Sequence, residues 1–253
     1  MLHAHLERQP TPHGRERPPT QIRPASIPGE FISIDTFEST TKGLIAQVKG
    51  NLTKAKSVAS TVFLDHFSDL SFVYMLKDQT NKETLKAKYA FEVFAKTHGV
   101  VVQQYHADSG RFANIAFAND ARAQKQKVSY CGVNAHHQNG RAEKCIRDLQ
   151  DHARVLIMHM TNKWPEVITP HLWPYAIRLA NEVRNHSPSS RNGLIPLAAF
   201  ARTCKIPDSI HLHTFGCPAY ILMPELQAKR KLDKWSQSRE QSSFRGNWYQ
   251  ALR

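Results

Sequence analysis

The chain has 253 residues and a formal net charge of +13. Its hydrophobic content of 41% is enough for a folded core and excludes a wholly disordered chain. The positive surplus favours a polyanionic partner, most often nucleic acid, although a basic structural protein has the same composition. The cysteines include no Cys-x-x-Cys pair, so neither a zinc knuckle nor a disulfide framework is expected. Without a visible leader or apolar span, we expect no membrane contact and a nuclear or cytoplasmic location.

Residues 1–28 are rich in proline and arginine and show no hydrophobic period, which predicts a flexible basic arm; an extension without a role is the alternative. A loop is predicted over 39–56. Three strands, a helix, a strand, a helix and a strand are then expected over 31–37, 58–67, 71–76, 81–98, 100–105, 113–124 and 128–131. In the first helix Leu85, Tyr89 and Val93 form one apolar stripe, with Phe91, Phe94 and Ala95 beside it, and the lysines are expected to face away.

Two further helices are predicted over 138–160 and 172–185, where apolar residues recur at helical spacing. After residue 210 the pattern changes to a strand over 213–222, a basic segment over 229–234 and the start of another strand at 246–249. Strands mixed with helices, with an antiparallel meander first, predict an α+β or α/β fold with one central mixed sheet.

Three acidic residues occupy positions suited to hard cations. Asp35 and Asp108 each follow a short β-prone run, and Glu143 lies one turn into a predicted helix. Magnesium prefers oxygen ligands, and a pair of such ions can activate an attacking oxygen and stabilise a leaving one in phosphodiester chemistry. The alternative is that all three are solvated or capping acids, as most Asp and Glu residues are.

Polar side chains around Glu143 suggest contacts with a phosphate backbone. The cations are Arg141, Lys144, Arg147 and Arg154. Simple pairing with Glu143 is an equal alternative for them. Gln138 and Asn139 form a turn with two amide side chains, which suits a helix start near DNA.

Several collinear blocks resemble copia-type LTR-retrotransposon integrases. Residues 136–143 (HHQNGRAE) resemble the family's P-x-Q-N-G-x-A-E signature, and 107–112 (ADSGRF) resemble its S-D-N-G-G-E-F block. Residues 63–68 and 72–74 are similar to the family's F-I-D-D-Y-S…W-V-Y hairpin, and residues 171–176 and 185–188 are similar to its F-W-x-E-A…N-R-S-P region. Residues 212–220 are similar to its L-R-x-F-G-C-x-A-Y segment, and residues 231–233 to the K-L-D stretch that follows it. The similarity covers roughly residues 28 to 250.

The resemblance implies an α/β RNase H-like fold, with a central mixed five-stranded sheet flanked by helices. It implies an integrase catalytic core over 29–202, followed over 203–253 by a linker and a truncated SH3-like module. Asp35, Asp108 and Glu143 fall on the family's catalytic triad, which implies a two-ion Mg²⁺ or Mn²⁺ site. The implied activity is metal-dependent cleavage and strand transfer on double-stranded DNA, by a protein that is a homo-oligomer when intact.

Two alternatives remain, and departures from the family pattern motivate the first of them. His3, His5 and His13 have no nearby cysteine partners, whereas integrases of this class carry an upstream His/Cys zinc segment. We therefore expect a fragment or degraded copy, and a catalytically inactive DNA-binding remnant is the first alternative. A cellular ribonuclease of the same fold, which would cleave RNA–DNA hybrids, is the second.

Overall fold

The computed structural model describes residues 24–45, 54–108, 110–132, 139–209, 212–217, 219–222 and 239–242. Its strands are β1 Ile32–Gly43, β2 Ser57–Asp65, β3 Ser71–Leu76, β4 Gln104–Ala107, β5 Lys127–Tyr130, β6 Ala219–Leu222 and β7 Arg239–Ser242. Its α-helices are α1 Asn81–Thr97, α2 Ile115–Ala123, α3 Gly140–Lys163, α4 Trp173–His186 and α5 Pro196–Phe200, and a 3₁₀ turn at Pro170–Leu172 precedes α4. None of these described helices is long and apolar enough to cross a bilayer.

The central layer is a mixed five-stranded sheet in the order β3-β2-β1-β4-β5. The pairs β1–β2 and β2–β3 are antiparallel, whereas β1–β4 and β4–β5 are parallel. The antiparallel half is a meander, and each parallel pair is joined through a helix, as parallel neighbours require. The predicted α/β architecture is thereby confirmed, and the α+β alternative is wrong.

Alternation along β1 divides the core into two apolar layers. Ile32 and Ile34 point to one face of the sheet, where they pack in the same cluster as Phe91 of α1 and Phe117 of α2. Phe37 points to the other face and packs in the cluster formed by α3 and α4. Odd-numbered residues of β1, including Asp35, therefore face the α3 side of the sheet.

Helix α3 forms because its small and apolar residues recur every three or four positions and bury one stripe. The buried residues of this stripe are Ala142, Cys145, Ile146, Leu149, Ala153 and Met160. Helix α4 is fixed to β3 at its far end, where Asn185 donates to the carbonyl of Ser71 at 2.8 Å and accepts from its amide at 3.1 Å. The side of the sheet that Asp35 faces is thus covered by a well-anchored helix pair.

Two predicted boundaries were wrong. Strand β1 continues to Gly43 instead of giving way to a loop at residue 39, because the start of α4 packs beside it: Trp173 donates to the carbonyl of Thr41 at 2.8 Å. A Cβ on Gly43 would lie 2.2 Å from Pro174 Cγ, so this approach requires glycine. The strand predicted at 100–105 pairs only from Gln104 onward, and Val101 is 76% exposed.

The C-terminal region contains a separate antiparallel pair, β6 with β7. Strand β6 occupies the end of the range 213–222, and β7 lies where no strand was predicted. The basic segment at 229–234, the strand at 246–249 and residues 1–23 of the proposed arm lie outside the described residues. The division into arm, core and SH3-like module stays a prediction.

Candidate active site

Asp35 and Asp108 stand side by side at the point where β4 ends and β1 continues. The parallel register pairs Ile34 with Ala107, and each aspartate is the next residue along its strand. Neighbouring strands lie about 4.8 Å apart, and residues paired in this way project from the same face. The two aspartates therefore share the sheet face on which α3 packs.

Glu143 reaches the same region from α3. It lies in the first turn of that helix, and the residue at the helix start, Asn139, donates a hydrogen bond from Nδ2 to the carbonyl oxygen of Ile34 at 2.9 Å. Ile34 immediately precedes Asp35. One hydrogen bond between residues far apart in sequence therefore brings the helix start that carries Glu143 to the strand position that carries Asp35.

The three carboxylates are half-buried. Asp35 Oδ1 accepts the amide of Thr36 at 2.7 Å, and Asp108 Oδ1 accepts the amide of Gly110 at 3.3 Å. Within the described part of the chain, neither Asp108 nor Glu143 has an ion-pair partner. The alternative that Lys144 simply neutralises Glu143 therefore finds no support among these residues.

Cys131 is a site residue that sequence reasoning missed. Its amide donates to the carbonyl of Ala107 at 3.0 Å, which continues the β4–β5 ladder and places Cys131 beside Asp108. Burial raises the pKa of the thiol, and the charges of Asp108, Asp35 and Glu143 raise it further. All three carboxylates thus act on one sulfur atom. The available signal was positional, because Cys131 follows its strand as Asp108 follows β4.

A second row of polar residues lies two residues before Asp35, Asp108 and Cys131 along their strands. Ser33 Oγ is 2.7 Å from His66 Nε2, and His106 Nδ1 is 2.9 Å from Ser129 Oγ. His106 Nε2 lies 3.5 Å from the Cys131 sulfur. Burial, then the nearby charges of Arg191 and His106, lower the pKa of His66 to about 4. His66 is therefore neutral at physiological pH and supports the site as an uncharged hydrogen-bonding group.

The carboxylate oxygens of Asp35, Asp108 and Glu143 are ligands that suit a hard divalent cation. Three carboxylates from β1, the end of β4 and α3 supply oxygen ligands of the kind Mg²⁺ and Mn²⁺ prefer. Their side chains are not already gathered around one point: among the described residues, no three His, Cys, Asp or Glu side chains are grouped closely enough to hold an ion. The three carboxylates therefore lie in one region of the fold, and their charges all raise the pKa of Cys131, but they do not form a closed ion site.

The predicted nucleic-acid contacts divide into exposed and internal residues. Lys144, Arg147 and Arg154 are exposed on α3, where Arg154 also pairs with Asp151 at 2.7 Å. Arg141 instead donates to the carbonyl of His66 and to Asp69, both at 3.1 Å, so its guanidinium is engaged within the fold.

Asn139 is buried, with the residue 2% exposed, because its side chain bonds to β1. Its contact with nucleic acid stays a prediction. Gln138 lies outside the described residues.

The sheet order and flanking helices define an RNase H-like α/β fold, which solved structures share. A chain of the simian T-cell lymphotropic virus intasome in complex with the PP2A regulatory subunit B56 gamma is 14% identical, with 87% of this chain and 69% of that chain covered and a TM-score of 0.53. This likeness establishes the fold alone.

Two catalytic cores are similar over a shorter part of this chain. The HTLV-2 integrase core in complex with magnesium, in its trimeric form, is 18% identical over 69% of this chain and 98% of its own, with a TM-score of 0.48. The BIV integrase core is 15% identical over 69% and 95%, with a TM-score of 0.47. No protein-family model matches the sequence, and no curated protein matches it.

Proposed function

We propose that this chain is the catalytic core of a copia-type retrotransposon integrase, a polynucleotidyl transferase that cuts and joins double-stranded DNA. The observation that supports the proposal is that Asp35, Asp108 and the α3 start bearing Glu143 lie in one region of the fold, from which all three charges raise the pKa of the Cys131 thiol. The collinear sequence blocks supply the copia type. We also propose that the intact protein acts as a homo-oligomer, in the nucleus or cytoplasm.

Asp35, Asp108 and Glu143 would hold the divalent ions. When bound, Mg²⁺ or Mn²⁺ supplies activation of the attacking oxygen and charge stabilisation of the leaving oxygen in phosphodiester chemistry. The exposed cations Lys144, Arg147 and Arg154 would bind the DNA backbone and set its register on the site.

The test is Mn²⁺-dependent disintegration of a branched DNA substrate by the full chain. Asp35→Asn, Asp108→Asn and Glu143→Gln should each reduce product formation by about a hundredfold or more, because each removes a ligand charge from a site that acts as a unit. DNA binding should persist in all three variants. Asp151→Asn is the matched control, since this exposed α3 carboxylate pairs only with Arg154 among the described residues. Full activity in Asp108→Asn would refute the assignment.

A second candidate is a DNA-binding remnant without catalysis. It is favoured by the observation that no three ligating side chains of the described residues are already grouped for an ion. It predicts DNA binding by the wild-type chain and no disintegration product with either Mn²⁺ or Mg²⁺. Product from wild type would dismiss it, and selective cleavage of an RNA–DNA hybrid would instead support a ribonuclease.

A further inference from the structure

We propose that Asn139 is a positioning residue, which holds the start of α3 against β1 and so determines where Glu143 stands relative to Asp35. The inference rests on the proposed function, since it concerns the divalent ions that these carboxylates would bind. It assigns Asn139 no contact with DNA.

The orientation of the Asn139 amide is fixed by its donor. Nδ2 lies 2.9 Å from the carbonyl oxygen of Ile34 in a buried environment. Rotating the amide by half a turn would place Oδ1 against that carbonyl, and two acceptors repel each other. The bond therefore requires an NH₂ group on this side chain.

Asn139 gives up its usual helix role to make this bond. An asparagine preceding a helix normally has extended backbone angles, and its side-chain oxygen accepts from an amide of the first turn. Asn139 has φ −97° and ψ 16°, and its side chain makes no such cap. Its Oδ1 is buried and finds no hydrogen-bond partner among the described residues. If Asn139 capped the helix, this oxygen would accept an amide of the first turn. The side chain is therefore oriented by its contact with β1 and not by capping.

The geometry of a helix links this contact to the active site. Residues i and i+4 lie on the same side of an α-helix, one above the other. Glu143 is four residues beyond Asn139, and Asp35 is one residue beyond Ile34. The hydrogen bond thus joins Ile34, the neighbour of Asp35, to Asn139, which lies one helical turn before Glu143. Losing it would release the first turn of α3 from β1 while leaving all three carboxylates in the chain.

The experiment measures Mn²⁺ binding by the full chain with isothermal calorimetry and with the Mn²⁺-induced increase in Tm. The variants are Asn139→Ala, which removes the amide, and Asn139→Asp, which keeps its shape but cannot donate to Ile34. We expect both to bind Mn²⁺ about tenfold or more weakly, as happens when groups that orient metal ligands are lost. Because Asn139→Asp preserves side-chain shape, it provides the test should Asn139→Ala fail to fold.

Asn185→Ala is the matched control, because Asn185 is a buried asparagine that also donates to a backbone carbonyl, but at the β3–α4 contact. Its Tm should decrease while its Mn²⁺ affinity stays that of wild type.

The proposal is supported if Mn²⁺ affinity falls more than about threefold in both Asn139 variants but not in the control. A smaller fall in Mn²⁺ affinity in either folded variant overturns it. Tighter binding by Asn139→Asp would show that this position offers an oxygen ligand, which also overturns it. If wild type binds no Mn²⁺, the proposed function itself fails.

Discussion

Cys131 and Asp108 lie side by side just beyond the ends of the parallel strands β5 and β4, where burial and then the Asp108 carboxylate raise the pKa of the thiol. Asp35 and Glu143 raise it further. The sulfur therefore reports, without any assay of catalysis, whether the three carboxylates share one region of space.

Asp108→Asn should lower the pKa of the Cys131 thiol and speed its alkylation at a fixed pH near 8. Each half unit by which the pKa falls increases the thiolate fraction about threefold. The rate is measured with iodoacetamide and mass spectrometry of the Cys131 peptide, in a Cys204→Ser, Cys217→Ser background. Asp151→Asn is the control and should leave the rate unchanged. Equal rates in the two aspartate variants would show that Asp108 does not act on this thiol.

The exposed cations of α3 should govern the salt dependence of DNA binding. Lys144→Gln and Arg147→Gln should each reduce the slope of log K against log salt concentration by about one, because each neutralised phosphate releases one condensed counterion. Fluorescence anisotropy with duplex DNA at several salt concentrations measures the slope.

Arg141→Gln provides the comparison, since Arg141 pairs with Asp69 inside the fold. It should lower Tm and leave the salt slope unchanged. A slope reduced in Arg141→Gln as much as in Lys144→Gln would mean that Arg141 leaves its internal partners to bind phosphate.

Stability should decline between about pH 6.5 and pH 4 because of His66. Burial is the main cause that lowers its pKa from 6.5 to about 4, so the unfolded chain binds the proton more readily than the folded one. The stabilisation is full above pH 6.5 and is lost as the pH falls toward 4, by about 3 kcal/mol. Urea unfolding at several pH values should show a smaller decline in His66→Gln. His152→Gln, at an exposed position of α3, should decline like wild type; an unchanged decline in His66→Gln would contradict the prediction.

Most of the individual strands and helices were predictable because they depend on local periodicity, which needs only residues within one element. Asp35 and Asp108 each follow a β-prone run, and the spacing of Ile146, Leu149 and Ala153 places Glu143 on a helix. Periodicity did not join the three carboxylates into one site, and that prediction came from the resemblance to integrases.

Contacts between distant residues were not predictable in this way. The sequence around Asn139 is typical of a turn. Its side chain is buried because it bonds to the carbonyl of Ile34, 105 residues earlier in the chain. The apolar stripe of α1 was also misplaced: Val93 is 64% exposed, whereas Lys88 is fully buried. Lys88 can occupy the inner face only because it pairs with Glu92 of the same helix and Asp120 of α2. The hydrophobic periodicity of α1 does not predict these partners.

Lys88 should therefore be a major determinant of stability. Its Nζ lies 2.7 Å from Glu92 Oε1 and 2.6 Å from Asp120 Oδ2, and its side chain is fully buried. Lys88→Met fills similar volume but leaves two largely buried carboxylates without their cation. We expect a loss of about 3–5 kcal/mol in the free energy of unfolding, measured by urea denaturation.

The control is Lys82→Met on the same helix, because Lys82 is exposed and has no ion-pair partner among the described residues. Its stability should equal that of wild type within error. The triple variant Lys88→Met, Glu92→Gln, Asp120→Asn should recover part of the loss, since uncharged side chains no longer require a buried cation. If Lys88→Met were as stable as wild type, the ion cluster would be dispensable, and packing of Phe91 and Phe117 alone would hold α1 and α2 against the sheet.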